Sequence, residues 1–375
     1  MVCRFWRDEL KIYCILLDTT PLDSPLRNFF IQRKFKQLNQ IANCYTTSTI
    51  ISMFTSKLST DLMEGGIGSH SWQVYIQKET GGVRWPFEEK EYITNLLHRK
   101  GWNIEFHTPN TPSNISCISY TVTSDRRYKW TSCENEIVEL EILQDGQIAK
   151  NHFKKEKKHI ERMQLEPNDK NKFYFVHYYY YHTALIKKQN AAAAVQKQIK
   201  ILDCWNFNES NSLFWIFQDH GNFRKFNKYC APNAFFTWVQ FKDNSINSLQ
   251  TETNFISIRD FYPTILKKLK INYKGNNVES KSIDEKQPNE RVYFSEDNRS
   301  EEKINTRIMT FMASKFVHWK KQPTTLRSVT YYMPNKKFFC YELDLKTEKI
   351  SQIEIIDNHL KSCLIQRYSW LFREK

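Results

Sequence analysis

The sequence predicts an α+β chain. It has an N-terminal five-stranded β-barrel of the OB type, an aromatic mixed α/β middle region, and a C-terminal unit of helices and a hairpin. Three observations predict it. Period-two segments lie on either side of one amphipathic helix, Glu88 to Lys100. A basic helix, Asn151 to Gln164, runs into the break Pro167-Asn168-Asp169-Lys170-Asn171. A polar, mixed-charge stretch at 275–299 cannot bury much and reads as a linker.

The expected units are therefore 1–44 as an extension, 45–166 as barrel plus basic helix, 172–274 as the aromatic region, 275–299 as linker, and 300–375 as a last unit. In the first of these, Arg27 to Ile41 could form a helix, with Phe30, Lys34 and Leu38 in step. Thr46 to Phe54 is rich in Thr and Ile and reads as a strand. Ser71 to Gln77 alternates Trp72, Val74 and Ile76 with polar neighbours; Thr80-Gly81-Gly82 then turns into the strand Val83-Arg84-Trp85. Ile115 to Thr123 and the stretch ending in Leu140-Glu141-Ile142-Leu143 supply two more strands. Three strands, a helix and two strands is the OB order. Further on, Ala191 to Lys200 has strong helix propensity and Tyr178 to Tyr181 reads as a β-rich packing segment. Lys303 to Trp319, Thr324 to Tyr332 and His359 to Phe372 read as helices, and Phe338–Leu345 with Ile350–Ile356 as a hairpin.

Composition excludes several classes. Of 375 residues only 9 are glycine and 11 proline, while 15% are aromatic, so the chain is neither collagenous nor globally disordered. Neither G-x-G-x-x-G nor G-x-x-x-x-G-K-[ST] occurs, which argues against a glycine-rich nucleotide site. No apolar run reaches membrane-spanning length; Leu10 to Leu17 follows Asp8-Glu9 and does not read as a leader, so no membrane partner is expected. Nine cysteines without a C-x-x-C pair favour a reducing compartment, and Asn114, Asn208 and Asn298 are then chance glycosylation matches. Arg4 and Arg7 keep a mitochondrial address open. Lys and Arg number 55 against 41 acids, a surplus of 14, which suits either a polyanionic partner or merely a solvated basic surface.

An OB barrel would stack bases on aromatics and track phosphates with cations. The expected nucleic-acid contacts are Lys78, Arg84, Arg126, Arg127, Tyr128, Lys129 and Trp130, although alternation would send Trp72 into a core. Phe153, Ile160 and Met163 fall roughly along one face of the basic helix and read as a partner-binding stripe. No cofactor, metal or catalytic residue is expected. Cys117/Cys133, His152/His159 and His177/His182 lack structural-zinc spacing. Asp219-His220 with Cys230 could support thiol chemistry, yet such trios arise by chance. Glu342, Asp344 and Lys346 would share one strand face, as in a metal-dependent nuclease or, more simply, a solvated hairpin face.

Trp72-Gln73-Val74-Tyr75-Ile76 followed by Thr80-Gly81-Gly82-Val83-Arg84-Trp85 resembles the D-x-T-G-x-I-x-x-x-x-W stretch of a known OB family. That family holds the middle subunit of replication protein A and the Stn subunit of the CST telomere-capping complex. The acid of its turn is Lys78-Glu79 here, and the tryptophan lies closer to the Thr-Gly. The resemblance implies a winged-helix-like C-terminal unit, a small OB-fold partner within a larger complex, single-stranded nucleic acid as ligand, and a nuclear, telomeric location. The expected function is thus a non-catalytic subunit of a telomere or single-stranded-DNA complex. The alternatives are a metal-dependent nuclease and a basic scaffold subunit of a ribosomal or organellar assembly.

Overall fold

A computed structural model describes residues 10–18, 20, 25–42, 46–57, 75–76, 83–84, 92–109, 128–133, 146–166, 171–178, 180–181, 184, 190–219, 235–241, 255–272, 280–285, 292–297, 325–332, 337–344 and 349–352. The centre is the apolar run at the N-terminus. Residues Lys11–Leu17 form β1, buried at every position. A strand buried on both faces is apolar except where a polar side chain is fully partnered, and such strands pair in parallel under helices. β1 pairs in parallel with β7 (Lys172–Tyr178) on one side and with β8 (Ser212–Phe217) on the other.

Around this triplet lie β5 (Asn103–Pro109) and β6 (Tyr128–Cys133) at one edge, and β9 (Phe235–Phe241), β2 (Lys36–Ile41) and β10 (Phe255–Ser257) at the other. The order is β10-β2-β9-β8-β1-β7-β5-β6, eight strands in all. Only β9 runs against the rest. A four-stranded antiparallel sheet of β11 (Val292–Asp297), β12 (Thr325–Tyr332), β13 (Lys337–Asp344) and β14 (Lys349–Gln352) follows. Two short strands, β3 (Tyr75–Ile76) and β4 (Val83–Arg84), pair with each other alone.

Two helical layers cover the large sheet. Ile12, Cys14, Leu16, Phe173, Phe175, Leu213, Trp215 and Phe217 face one core, under α2 (Thr46–Thr55), α3 (Ile93–Arg99) and α6 (Phe261–Lys268). Tyr13, Ile15, Leu17, Tyr174, Val176, Phe214 and Ile216 face the other, under α1 (Leu26–Gln32), α4 (Gly146–Leu165) and α5 (Ala191–Leu202). This is the strict alternation of strand side chains, expressed once per face. On the second face Tyr13 stacks between its strand neighbours, 5.2 Å from Tyr174 and 4.8 Å from Phe214. Its hydroxyl donates to Glu209 at 2.8 Å, and burial with that carboxylate pushes the phenol far above its ordinary range.

The expected barrel is therefore absent: the chain builds a mostly parallel α/β sandwich, and its large sheet draws strands from both sides of the boundaries placed at 44/45 and 167–171. Three local readings fail, two of them for identifiable reasons. Thr46 to Phe54 is helical, because Ile50, Met53 and Phe54 repeat at helical spacing and dock on the sheet; packing overrides β-branched propensity. Arg27 to Ile41 splits into α1 and β2, with Lys34 at φ 63 between them. Thr324 to Tyr332, read as a helix, is the strand β12. Helix α3 lies within the expected Glu88 to Lys100 and ends at Gly101, whose φ of 87 suits a glycine.

Two predictions concern stability. Phe54, fully buried, packs edge-on to Phe175 at 5.5 Å and against Phe261 at 6.1 Å. Phe54→Ala should cost about 3–5 kcal/mol in urea unfolding. His159, on α4, is held below its ordinary pKa by burial and then by His107. The unfolded chain therefore binds this proton more readily, so stability is lost as pH falls below the unfolded value. The melting temperature should drop between about pH 7 and pH 5.5, and drop less in His159→Gln.

Candidate functional site

In open parallel sheets, ligands bind beyond the carboxyl ends of the strands. Here the central strands β1, β7 and β8 run in parallel and deliver their carboxyl ends to one edge. The residues at this edge are polar and buried: Asp18, Thr20, Gln40, Thr49, His177, Gln218 and Asp219 are each 1% exposed or less.

Asp18 is the first residue after the apolar run. Its Oδ2 accepts from His177 Nε2 at 2.9 Å, both side chains being fully buried. His177 is carried by β7 on the face of Phe173 and Phe175, which is the face of α2, α3 and α6. The parallel register sets Leu16 beside Phe217, and two residues further on Asp18 comes level with Asp219. Continuing the alternation from Trp215 and Phe217, Asp219 belongs to the same face.

Backbone anchors hold this edge. Gln40 Nε2 donates to the Gln218 carbonyl at 2.7 Å, and Gln218 Nε2 to the Thr20 carbonyl at 2.8 Å. Thr20 Oγ1 donates to Gln198 Oε1 of α5 at 3.3 Å. Thr49 Oγ1 donates to the Asp219 carbonyl at 3.1 Å. That last bond ties the first turn of α2, with Thr46, Thr47, Ser48 and Thr49 in sequence, to the strand end bearing Asp219. A helix N-terminus on the face of two carboxylates and a histidine combines N–H donors for an anion with ligands for a cation.

The expected site residues fall elsewhere. Tyr128, Lys129 and Trp130 lie in β6, the edge strand, opposite Ile104, Glu105 and Phe106 of β5. Arg84 lies in β4 opposite Tyr75. Lys78, Arg126, Arg127, His182, His220, Cys230 and Lys346 lie outside the described residues. The four described nucleic-acid candidates share no barrel surface, because the described strands form open sheets. Ile160 and Met163, read as a partner stripe, are fully buried in the chain's own second core, with Phe153 packed against it. The helix uses its few apolar residues on its own sheet.

The sequence alone does not single out Asp18: a short apolar run suits a buried helix segment as well as a buried strand, and an acid at its end marks a ligand edge only once the run is a parallel strand. Asp219 was noticed only beside Cys230, and His177 only beside His182.

No protein-family model matches the chain, and no curated protein matches it in sequence. Among solved structures it is similar to a protein in the alkaline phosphatase superfamily from Vibrio parahaemolyticus. The TM-score is 0.51 at 12% identity, over 97% of this chain and 88% of that one. Looser likenesses are the lipoteichoic acid synthase LtaP from Listeria monocytogenes (TM-score 0.49, 10% identity, 97% and 92% covered) and the C-terminal periplasmic domain of EcEptC from Escherichia coli (0.46, 9%, 76% and 89%). The class is thus defined at the level of fold: an α/β sandwich like that of the Vibrio protein. This likeness overturns the OB-plus-winged-helix fold and the resemblance to replication protein A and Stn. The non-catalytic telomere-subunit function, its single-stranded-DNA keywords and the nuclear location were drawn from that resemblance, and they go with it.

A prediction follows from the buried pair. His177→Ala removes the buried hydrogen bond to Asp18 and should cost about 1–3 kcal/mol in urea unfolding. Asp18→Asn, which keeps an oxygen to accept from the ring, should cost clearly less.

Proposed function

We propose that the chain is a divalent-metal-dependent hydrolase of phosphate esters, acting at the carboxyl edge of β1, β7 and β8. The observation that carries the reading is the buried Asp18–His177 pair level with Asp219, on the face where Thr49 of the first turn of α2 is tied to the Asp219 carbonyl. The fold shared with a protein of the alkaline phosphatase superfamily supports it as an analogy of fold.

The donor chemistry fits a hard divalent cation in part. Asp18 and Asp219 offer carboxylate oxygens, which suit magnesium, manganese or zinc. Among the described residues no group of three His, Cys, Asp or Glu could hold a metal, so a cation here would depend on Asp18 and Asp219 and on donors from substrate or water. His220, next in sequence to Asp219, is the residue to test for a third. A cation bound here would supply Lewis acidity toward the ester and lower the pKa of a coordinated hydroxyl.

The chain's own residues do the remaining work. His177 fixes one oxygen of Asp18 and so sets where its other oxygen points, as second partners of metal ligands do. The first N–H groups of α2 have no partner within the helix and suit phosphate oxygens. The Thr49 hydroxyl is engaged by the Asp219 carbonyl and acts as an anchor.

The experiment is turnover of p-nitrophenyl phosphate and bis-p-nitrophenyl phosphate with added Mg²⁺, Mn²⁺ or Zn²⁺, and with chelator. Hydrolysis is expected only with metal, and Asp219→Asn should lower it by about 100-fold or more while the melt stays within a few degrees. Turnover that survives chelation, or that Asp219→Asn leaves intact, would refute the reading, as would inactivity toward both esters with every metal. Calorimetric titration with Mn²⁺ gives a separate readout: Asp18→Asn and Asp219→Asn should each weaken binding at least about tenfold.

A further inference from the structure

The layer opposite the candidate site has a surface of its own. Helix α5 touches both α1 and α4, so the three form one continuous sheet-covering layer. On α4 the outward positions Lys154, Lys155, Lys157 and Lys158 are all exposed, while Glu156, Ile160 and Met163 point inward. Arg27 of α1 and Lys200 of α5 are also exposed. The exposed acids of these helices and their ends are Glu161, 3.7 Å from Lys157, and Asp203, paired with Arg33. The layer is therefore strongly cationic.

It also carries the exposed large hydrophobic residues found among the described positions: Leu165, 80% exposed, and Ile31, 50% exposed. Both α1 and α4 run against the strands, so their C-terminal ends, and with them Ile31 and Leu165, lie toward the same amino edge of the sheet.

We propose that this layer docks on an anionic phospholipid surface. Lysines on flexible stems act as point charges and suit a diffuse field of headgroups; a duplex or a phosphopeptide is better read by arginine forks. Aliphatic side chains beside lysines gain from the headgroup–acyl boundary and gain nothing from a phosphodiester backbone. Docking is peripheral: no helix among the described residues is long and apolar enough to cross a membrane. The candidate site belongs to the other face of the sheet, so this orientation leaves it uncovered. The proposal stands independently of the hydrolase reading.

The test is co-sedimentation of the full chain with vesicles of phosphatidylcholine alone and of phosphatidylcholine with phosphatidylglycerol at about three to one. Binding is expected only to the anionic vesicles and should fade as salt rises from about 0.1 M to 0.5 M. Lys154→Glu/Lys157→Glu/Lys158→Glu should weaken it at least about tenfold, and Leu165→Ser several-fold. Lys267→Glu, on the opposite layer, should leave it unchanged. Should the triple glutamate variant fail to melt cooperatively, the triple glutamine variant replaces it with the same direction expected. Equal binding to neutral vesicles, no vesicle binding, or equal loss in Lys267→Glu would each overturn the proposal. Retention of a duplex oligonucleotide without vesicle binding would overturn it in favour of nucleic acid.

Discussion

Everything in this molecule is arranged around a strand with no outward face. β1 is hydrogen-bonded in parallel on both sides and covered by helices above and below. Its interior can hold only apolar or fully partnered side chains, so its polar residues are confined to its ends. Lys11, 2% exposed, is held at one end by the Gln164 carbonyl at 2.6 Å and by Glu209 at 2.7 Å. Asp18 is held at the other by His177. The Lys11 end belongs to a network: Lys172–Glu166, Tyr174–Glu166 and Arg162–Glu105 close the same edge. Its burial makes it costly to disturb and its partners are accounted for, so it reads as structure.

The Asp18 end is organised otherwise. Main-chain carbonyls there are satisfied by Gln40, Gln218 and Thr49, while Asp18, His177 and Asp219 come to the same edge and the same face of the sheet as the N-terminus of α2. Parallel sheets make this asymmetry available because every strand delivers its last residue to the same edge. A sheet with alternating directions, as in a barrel of hairpins, would have distributed Asp18, His177 and Asp219 over two ends.

The second core explains the basic helix. Ile160 and Met163 are consumed by packing, and Glu156 turns inward to His107 at 3.1 Å. What remains outside is lysine. The same few apolar residues that suggested a partner surface are the reason the helix sits on its own sheet.

Several features were legible in the residues. The helix at Ala191 is present from Ala191 to Leu202, a helix lies within Glu88 to Lys100, and β13 and β14 pair as a hairpin. Each rests on local propensity or on a short-range pattern. What local pattern could not supply was pairing. Leu10 to Leu17 is apolar without periodicity, as a leader, a buried helix or a central strand would be; only its partners at 172–178 and 212–217 distinguish them. Thr46 to Phe54 has strand-forming residues at helix spacing, and the sheet beneath it chose the helix. The acids and histidine of the site are separated by up to about two hundred positions, so no spacing rule could join them. The sequence alone determined the charge surplus, the aromatic wealth and the local helices. Which residues meet was decided by long-range parallel pairing, because a parallel strand's neighbours are set by crossovers whose length and direction leave no mark on the strand itself.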